Sequence, residues 1–316
     1  MKQVSDKKPH SQPGLIATLS AGFELTTHHL WLITLPLFLD IFYWLGPRLS
    51  VQSLVEESAR ILRTEPAFSE TISQIVDLAS QINLFTSISI PLIGIPALMS
   101  GAIPDHTPLS PALMEVESVF IWLLLFVGLS LIGLLLTTTY LGLISYTLTD
   151  QNNEVHFRFG QFLRHLFLST IRLFLLGLVF VFALFVVWIP LLPIAVILGL
   201  ITNSLFIVVM LFGFVIVAIT LVLAVPAIVF RGRSVLGAVR DSIYLVYNNT
   251  MPTVNMLLLV ILISSGTNLL WRLADDGSWL TLVSIAGHAF VNTALVTAIF
   301  IFYRDRTNDQ FSGSFV

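Results

Sequence analysis

The most apolar part of the sequence runs from Arg172 to Arg231 and reads RLFLLGLVFVFALFVVWIPLLPIAVILGLITNSLFIVVMLFGFVIVAITLVLAVPAIVFR. Every side chain between these two arginines is uncharged. A transmembrane helix needs about 20 mostly apolar residues, so this run is too long for one helix and suits two. The predicted break lies at Pro190–Pro193 or at Thr202–Ser204. The strands of a membrane barrel are only about 10 residues long and alternate in character, so runs of this kind are helices.

Four further segments are long and apolar enough to cross a membrane in the same way. We therefore predict an all-α fold, a polytopic membrane bundle of about six transmembrane helices with amphipathic interfacial elbow helices. A single transmembrane domain covers residues 30–303 and includes an outer loop at 47–117. A cytoplasmic tail and interfacial lead-in precede it at 1–29, and a cytoplasmic tail follows at 304–316. The six predicted spans are 30–46, 119–146, 166–189, 205–229, 254–272 and 280–303.

The composition excludes most other classes of protein. Of the 316 residues, 56% are hydrophobic and 10% are charged, whereas ordinary soluble domains carry about 25% charged residues. This balance excludes a soluble enzyme, a disordered chain and a nucleic-acid-binding protein. The absence of cysteine excludes a disulfide scaffold and thiolate chemistry. The sequence also contains no phosphate-loop, zinc-protease, nucleophile-elbow or dinucleotide motif, and we predict no enzymatic activity, cofactor or metal.

The distribution of Lys and Arg predicts the orientation of the chain. If the N-terminus is cytoplasmic, four of the 15 Lys and Arg residues lie outside and the other eleven lie on the cytoplasmic side. This positive-inside bias predicts a multi-pass protein of the cell (plasma or inner) membrane, with both termini in the cytoplasm. The four outer residues are Arg48, Arg60, Arg63 and Arg272.

One segment, residues 85–101, conflicts with this topology if it crosses the membrane. It is apolar but short, and Pro91 and Pro96 interrupt it. A crossing here would move every later loop to the other side and would place Arg231 and Arg233 outside. We therefore predict that the segment is re-entrant or interfacial.

Two connections on the predicted cytoplasmic side, 156–165 and 234–249, have the pattern of helical elbows. Basic amphipathic helices of this kind lie in the membrane interface. We expect the second to lie flat on the inner leaflet and to contact anionic lipid, with no nucleic acid as a partner; the sequence identifies no protein partner. Its predicted apolar face is Leu236, Val239, Ile243 and Val246, and its predicted lipid contacts are Arg231, Arg233 and Arg240.

Polar residues inside the spans are the candidates for a functional site. Asp40 is the one acidic residue in a predicted span, and an ionisable group at that depth is costly. It either marks a functional site or lies near the outer interface, protonated or hydrogen-bonded to a neighbouring helix, and serves assembly. His288 and Asn292 share a face of the last span, and Asn268 lies in a polar cluster of the fifth. These residues form either a candidate intramembrane polar site or a set of helix–helix hydrogen bonds.

Residues 225–242 carry a family motif and read VPAIVFRGRSVLGAVRDS. This stretch resembles the signature of a group of prokaryotic six-span membrane proteins, which includes the membrane domain beside some glycerophosphodiester phosphodiesterases. Pro226, Ala238 and Ser242 match the pattern, whereas Arg231 stands where the group often has an acidic residue. The resemblance implies an integral membrane protein without assigned chemistry. The phosphodiesterase activity belongs to a separate barrel and is not implied for this chain.

Three functions are compatible with these patterns. The absence of catalytic motifs favours a non-enzymatic membrane protein with a scaffold, accessory or envelope role. A transporter or channel for a small molecule or a lipid would use the polar groups and the segments that proline interrupts. An intramembrane lipid-modifying enzyme would need Asp40 and His288 as an acid–base pair.

Overall fold

A computed structural model describes residues 13–62, 69–89, 94–101, 104, 106–150, 159–199 and 204–311. The predicted all-α fold is confirmed, because 81% of the described chain is helical and its strands are very short. Two three-residue strands, β1 (Arg48–Ser50) and β2 (Leu113–Glu115), pair in parallel. The helices are α1 Leu15–His28, α2 Thr34–Leu45, α3 Gln52–Leu62, α4 Ser69–Ser80, α5 Val119–Asp150, α6 Phe159–Ile197, α7 Ser204–Val229, α8 Val235–Asn248, α9 Thr250–Trp271 and α10 Thr281–Phe311.

Five helices, α5, α6, α7, α9 and α10, are long and apolar enough to cross a membrane, which confirms a multi-pass membrane protein. Their positions in the bundle differ. About two thirds (67%) of the most apolar window of α10 is buried inside the protein, against 17% or less for the other four. The last helix is therefore the centre of the bundle, and the other four present most of their apolar side chains to lipid.

The first membrane segment differs from the predicted single span at 30–46. The helices α1 and α2 are bent by 92° at the break between them, and together they make a possible sixth span. A 12-residue helix such as α2 is only about 18 Å long, which is too short to cross the hydrocarbon core alone.

The helix α1, which falls in the predicted lead-in at 1–29, packs along α10. A Cβ atom at Gly22 would lie 2.5 Å from the Ala294 carbonyl oxygen, so the two helix backbones are in direct contact. The buried face of α1 includes Thr18 and Thr26. Their hydroxyls donate to the backbone carbonyls four residues earlier, at Gly14 and Gly22. Small and hydroxyl-bearing residues permit this close packing, and they also lower the apolar signal of the segment.

The two ends of the bundle carry different side chains. At one end, which we call the tryptophan end, the indole of Trp44 donates to the Asp276 carbonyl and its ring lies 5.8 Å from that of Trp279. At the other end, the arginine end, α6 meets the turn between α7 and α8 at Arg172 and Gly232. Aromatic belts and basic clusters at helix ends are typical of membrane interfaces.

Residues 84–101, which we call the inserted segment, enter the bundle from the tryptophan end. The described residues form 3₁₀ turns at Leu84–Ile88 and Leu98–Ser100, and residues 90–93 lie outside the described part of the chain. A Cβ atom at Gly133 would overlap the Ile88 backbone. Gly133 lies about 20 Å along α5 from its first residue, so Ile88 reaches membrane depth.

Both ends of the inserted segment return to the same side. Before it, Asn83 accepts a hydrogen bond from the Leu49 amide in β1. After it, Gly101 lies beside Arg272 at the end of α9, which is also the tryptophan end. This geometry matches the re-entrant alternative predicted for 85–101.

The contact between the inserted segment and α5 is testable with two glycines of the same helix. We expect Gly133→Ala to lower the free energy of unfolding by about 1–3 kcal/mol, because its methyl group overpacks the contact with Ile88. Gly128 has open space around it, so Gly128→Ala should be neutral or slightly stabilising through helix propensity. Thermal unfolding of the purified variants in detergent measures both. Equal stabilities of the two variants would contradict the contact.

Candidate functional site

A cavity of about 800 Å³ lies between the inserted segment and the helices α5, α9 and α10. We call it the hydroxyl cavity, because its polar lining consists of Ser and Thr hydroxyls and one Asn side chain. Phe126 on α5 and Ile261 on α9 also line it, and both are exposed on the lipid-facing surface. The cavity therefore opens sideways between α5 and α9. Its polar residues are Thr86, Ser87, Ser89, Ser100, Ser130, Ser264, Ser265 and Asn292.

The lining groups define the chemistry that the cavity can accept. Hydroxyl and amide groups both donate and accept hydrogen bonds and carry no charge. Among the described lining residues none is Asp, Glu, Lys, Arg or His. A charged group placed there would lose its hydration without gaining a counter-ion, which is very costly in an apolar environment. The cavity therefore suits a neutral polar group.

Asp40 is fully buried and joins three elements. Its Oδ1 accepts a hydrogen bond of 2.8 Å from the Met99 amide in the inserted segment. Its Oδ2 lies 3.6 Å from His288 Nδ1 on α10. Of the two predicted alternatives, this geometry supports a hydrogen bond to a neighbouring element, and it adds a buried histidine as a partner.

Asn292 connects His288 to the hydroxyl cavity. Its side-chain nitrogen donates to the His288 carbonyl at 3.1 Å, and its Oδ1 accepts a hydrogen bond of 2.6 Å from the Ser264 hydroxyl on α9. Both Asn292 and Ser264 line the cavity. Three of the four predicted polar residues, Asp40, His288 and Asn292, are thus joined in one chain of contacts.

Asn268 does not join this chain. It lies one turn beyond Ser264 on α9, but it is not among the described residues that line the cavity. Its Oδ1 is buried and has no hydrogen-bond partner within the described residues.

The hydroxyls of the inserted segment and Ser130 on α5 were not predicted as part of a site. A signal was present, because residues 84–90 read LFTSISI, with three hydroxyls in an apolar run that Pro91 ends. Non-helical backbone at membrane depth occurs only where it is buried in protein or lines a cavity. Hydroxyls beside such a break therefore point toward a cavity.

At the arginine end, Arg172 and His165 bind the turn between α7 and α8. Arg172 donates to the Gly232 carbonyl at 2.7 Å, and a ring nitrogen of His165 lies 2.7 Å from the Val229 carbonyl. Carbonyls at the end of a helix carry partial negative charge, so the Arg172 guanidinium stabilises them. Gly232 has φ 62°, the left-handed conformation that a tight turn after a helix requires.

The predicted anionic-lipid contacts lie close to this turn but in different surroundings. The Arg231 guanidinium lies 5.8 Å from the ring centroid of Tyr303, and Arg233 Nε forms an ion pair of 2.9 Å with Asp241. Arg240 is exposed. The three arginines therefore lie at the same end of the bundle. Of the three, Arg240 is the one with neither an ion pair nor a ring contact described above.

The predicted elbow at 234–249 is a helix, α8, and Leu236 and Ile243 of its predicted apolar face are exposed. That this helix lies flat on the inner leaflet stays a prediction. α8 packs against α7, and the Ser242 hydroxyl donates to the Thr220 carbonyl at 2.8 Å. Its buried residues are Ala238, Ser242 and Leu245, whereas Leu236 is exposed. The small residues Ala238 and Ser242 allow the close approach of α8 to α7.

The elbow predicted at 156–165 differs in another way. Residues 156–158 lie outside the described part of the chain, and from Phe159 onward the backbone is already α6. In the described part of the chain, therefore, this elbow is the first turns of a long helix.

Metal ligands do not cluster in the described part of the chain, where no group of three or more His, Asp or Glu residues has suitable spacing. Comparison with protein-family models, with curated proteins and with solved structures finds no match for this chain. The resemblance at 225–242 is thus an interpretation of the sequence alone. In the structure, Pro226 lies within the last turns of α7.

The role of Asp40 in assembly is testable with two substitutions. Asp40→Asn keeps an acceptor for the Met99 amide and should cost little stability. Asp40→Leu leaves that amide and His288 without their partner, and we expect it to cost about 3–5 kcal/mol, as for other broken buried pairs. Folded yield in detergent and thermal unfolding measure the difference. Equal loss in both variants would show that the backbone hydrogen bond is not what stabilises the protein.

Proposed function

We propose that this chain is a non-enzymatic integral membrane protein that holds a neutral amphiphile in the hydroxyl cavity. The observation that carries the proposal is the cavity's uncharged, hydroxyl-rich lining together with its opening between α5 and α9. An amphiphile dissolved in the bilayer reaches the opening by lateral diffusion, and its polar group leaves the hydrocarbon for hydrogen-bonding partners. The volume of about 800 Å³ lies in the usual range for small-molecule sites.

The placement of the ionisable side chains supports a non-enzymatic role. A lipid-modifying enzyme would need an acid or base within hydrogen-bond reach of the bound molecule. Asp40 and His288 are buried and face each other, and neither is among the described residues that line the cavity. The remaining lining groups are hydroxyls and an amide, which are weak acids and bases without an adjacent activating group.

Lipid analysis of the purified protein tests this function. A neutral amphiphile should remain bound after purification in mild detergent and should be detected by mass spectrometry of the extract. Ser130→Phe fills the cavity from α5 and should remove the bound molecule. Gly128→Phe adds the same bulk two residues away, where open space surrounds the helix, and should retain it. Absence of any enriched amphiphile in the unaltered protein would contradict the proposal.

Transport is a second candidate function, and the inserted segment favours it. Binding sites of transporters are often built from non-helical breaks at membrane depth. Here such a break, at 94–97, lines the cavity together with Ser100. Movement of the retained molecule between the leaflets of liposomes, lost in Ser130→Phe, would indicate transport, whereas binding without movement would indicate a storage or accessory role.

We infer that the chain resides in the cell membrane with the arginine end and both termini in the cytoplasm. The eleven-to-four distribution of Lys and Arg supports this orientation. The chain has no cysteine, so single introduced cysteines report without background. A membrane-impermeant thiol reagent added to intact cells should label Ser69→Cys in the outer region and should not label Ser234→Cys. The reverse pattern would invert the topology.

We also propose anionic lipid as a partner at the arginine end. Arg231, Arg233 and Arg240 lie together there, and basic groups near an anionic surface each contribute about 1 kcal/mol of attraction. Changing all three to Gln should weaken the enrichment of anionic lipid around the protein in liposomes, with the topology intact. Arg60→Gln, at the other end of the molecule, is the control and should have no effect. Unchanged enrichment in the triple variant would leave these arginines a role in topology alone.

A further inference from the structure

The contact between Asp40 and His288 consists of two buried ionisable groups that are only partly satisfied. Asp40 has no exposed surface and His288 is 6% exposed. The facing atoms, Oδ2 and Nδ1, lie 3.6 Å apart, and neither makes a hydrogen bond to any described residue. The other carboxylate oxygen is held by the Met99 amide at 2.8 Å. One side of the carboxylate is therefore fixed by the backbone, and the other side faces the imidazole.

A proton changes this contact in two ways. With a neutral imidazole and an ionised carboxylate, the pair carries a net negative charge in an apolar environment. A proton on the imidazole makes the pair neutral overall and allows a charge-assisted hydrogen bond, which is typically about 2.7–2.9 Å long. The observed separation of 3.6 Å between Oδ2 and Nδ1 is longer than such a bond, so a proton on the pair would shorten the contact between α2 and α10.

The surroundings of the pair are mostly apolar. Trp44, Leu98 and Ile285 form a buried cluster beside it, and Trp271 and Leu282 pack on that cluster. Titratable or charged residues of the described chain also lie near the pair, at the tryptophan end. They include Tyr43 on α2, whose hydroxyl bonds Ser89, Arg272 beside Gly101 and Asp276, whose carbonyl accepts from Trp44.

Two connections lead from the pair to the hydroxyl cavity. In the first, the Asp40 carboxylate accepts a hydrogen bond from the Met99 amide, and the nearby residues Ala97 and Ser100 line the cavity. In the second, through α10, the His288 carbonyl accepts from Asn292, which also lines the cavity. A shift of either partner in the pair therefore moves part of the cavity wall.

We propose that Asp40 and His288 form a proton-binding site whose occupancy sets the shape of the hydroxyl cavity. The proposal rests on the proposed function in one respect, because it makes retention of the amphiphile depend on pH. The proton site itself can be tested without a ligand, so its failure and the failure of amphiphile binding are separate results.

The test places a reporter on the cavity wall. Ser100→Cys is the only cysteine of that variant, and a pH-insensitive, environment-sensitive fluorophore is attached to it. We expect its emission to change in a single one-proton transition when the pH is varied. Asp40→Asn keeps the acceptor for Met99 but cannot ionise, and it should abolish the transition. His288→Gln should abolish it as well.

The control is His106→Gln, which removes an exposed histidine at the same end of the molecule and should leave the transition unchanged. A transition that persists in both Asp40→Asn and His288→Gln, or that is absent from the unsubstituted pair, would overturn the proposal.

A second measurement needs no substitution at the pair. Hydrogen exchange of the peptide that contains Met99, corrected for the intrinsic pH dependence of exchange, should show a change in protection over the pH range of that transition. Protection that is independent of pH would also overturn the proposal, even if the variants of Asp40 and His288 fail to fold.

Discussion

Backbone that is not helical has to find its hydrogen-bond partners within the protein when it lies at membrane depth, and the inserted segment depends on this constraint. Asn83 closes its entrance by accepting from two backbone amides. Asp40 closes its exit by accepting from a third. Between them, the missing side chain of Gly133 lets the backbone at Ile88 lie directly on α5. The path of the inserted segment therefore depends on three residues together. They are Asn83 in the loop before it, Asp40 on the short helix α2 and Gly133 on the long helix α5.

The same constraint accounts for the bend between α1 and α2. Asp40 reaches the inserted segment only if α2 lies across the bundle, and a straight continuation of α1 would carry it away. The bend of 92° brings α2 against α10 and the turn Leu98–Ser100. It also leaves α1 free to pack along α10, where Gly22 permits backbone contact. The centre of the bundle is thus α10 because α1, α2 and α9 all pack on it.

The sequence predicts those parts of the fold for which the bilayer permits only one secondary structure. A charge-free run such as that of α7 must be a helix in a bilayer, whatever its neighbours are. The packing of α1 along α10 was not predicted, because the buried face of α1 contains Thr18, Gly22 and Thr26, and small or hydroxyl-bearing residues lower hydropathy while improving packing. Asp40 and His288 were predicted as candidates because an ionisable group in a span needs a partner. Their pairing, and the cavity beside them, depend on the inserted segment, whose path no local pattern specifies.

The contacts of the hairpin formed by α6 and α7 explain why the hydroxyl cavity lies on the other side of the bundle, among the inserted segment, α5, α9 and α10. At the arginine end, Arg172 and His165 bind carbonyls at the end of α7, and these contacts fasten the hairpin of α6 and α7 to the turn before α8. Toward the tryptophan end the same hairpin exposes large apolar side chains such as Phe182 and Phe212 to lipid. It therefore contributes no wall to the hydroxyl cavity, which the inserted segment, α5, α9 and α10 enclose. The inserted segment brings hydroxyls such as those of Thr86 and Ser89 to this wall, and α9 and α10 add Ser264, Ser265 and Asn292. Polar groups therefore face one another across the cavity, where each can find a hydrogen-bonding partner away from the hydrocarbon.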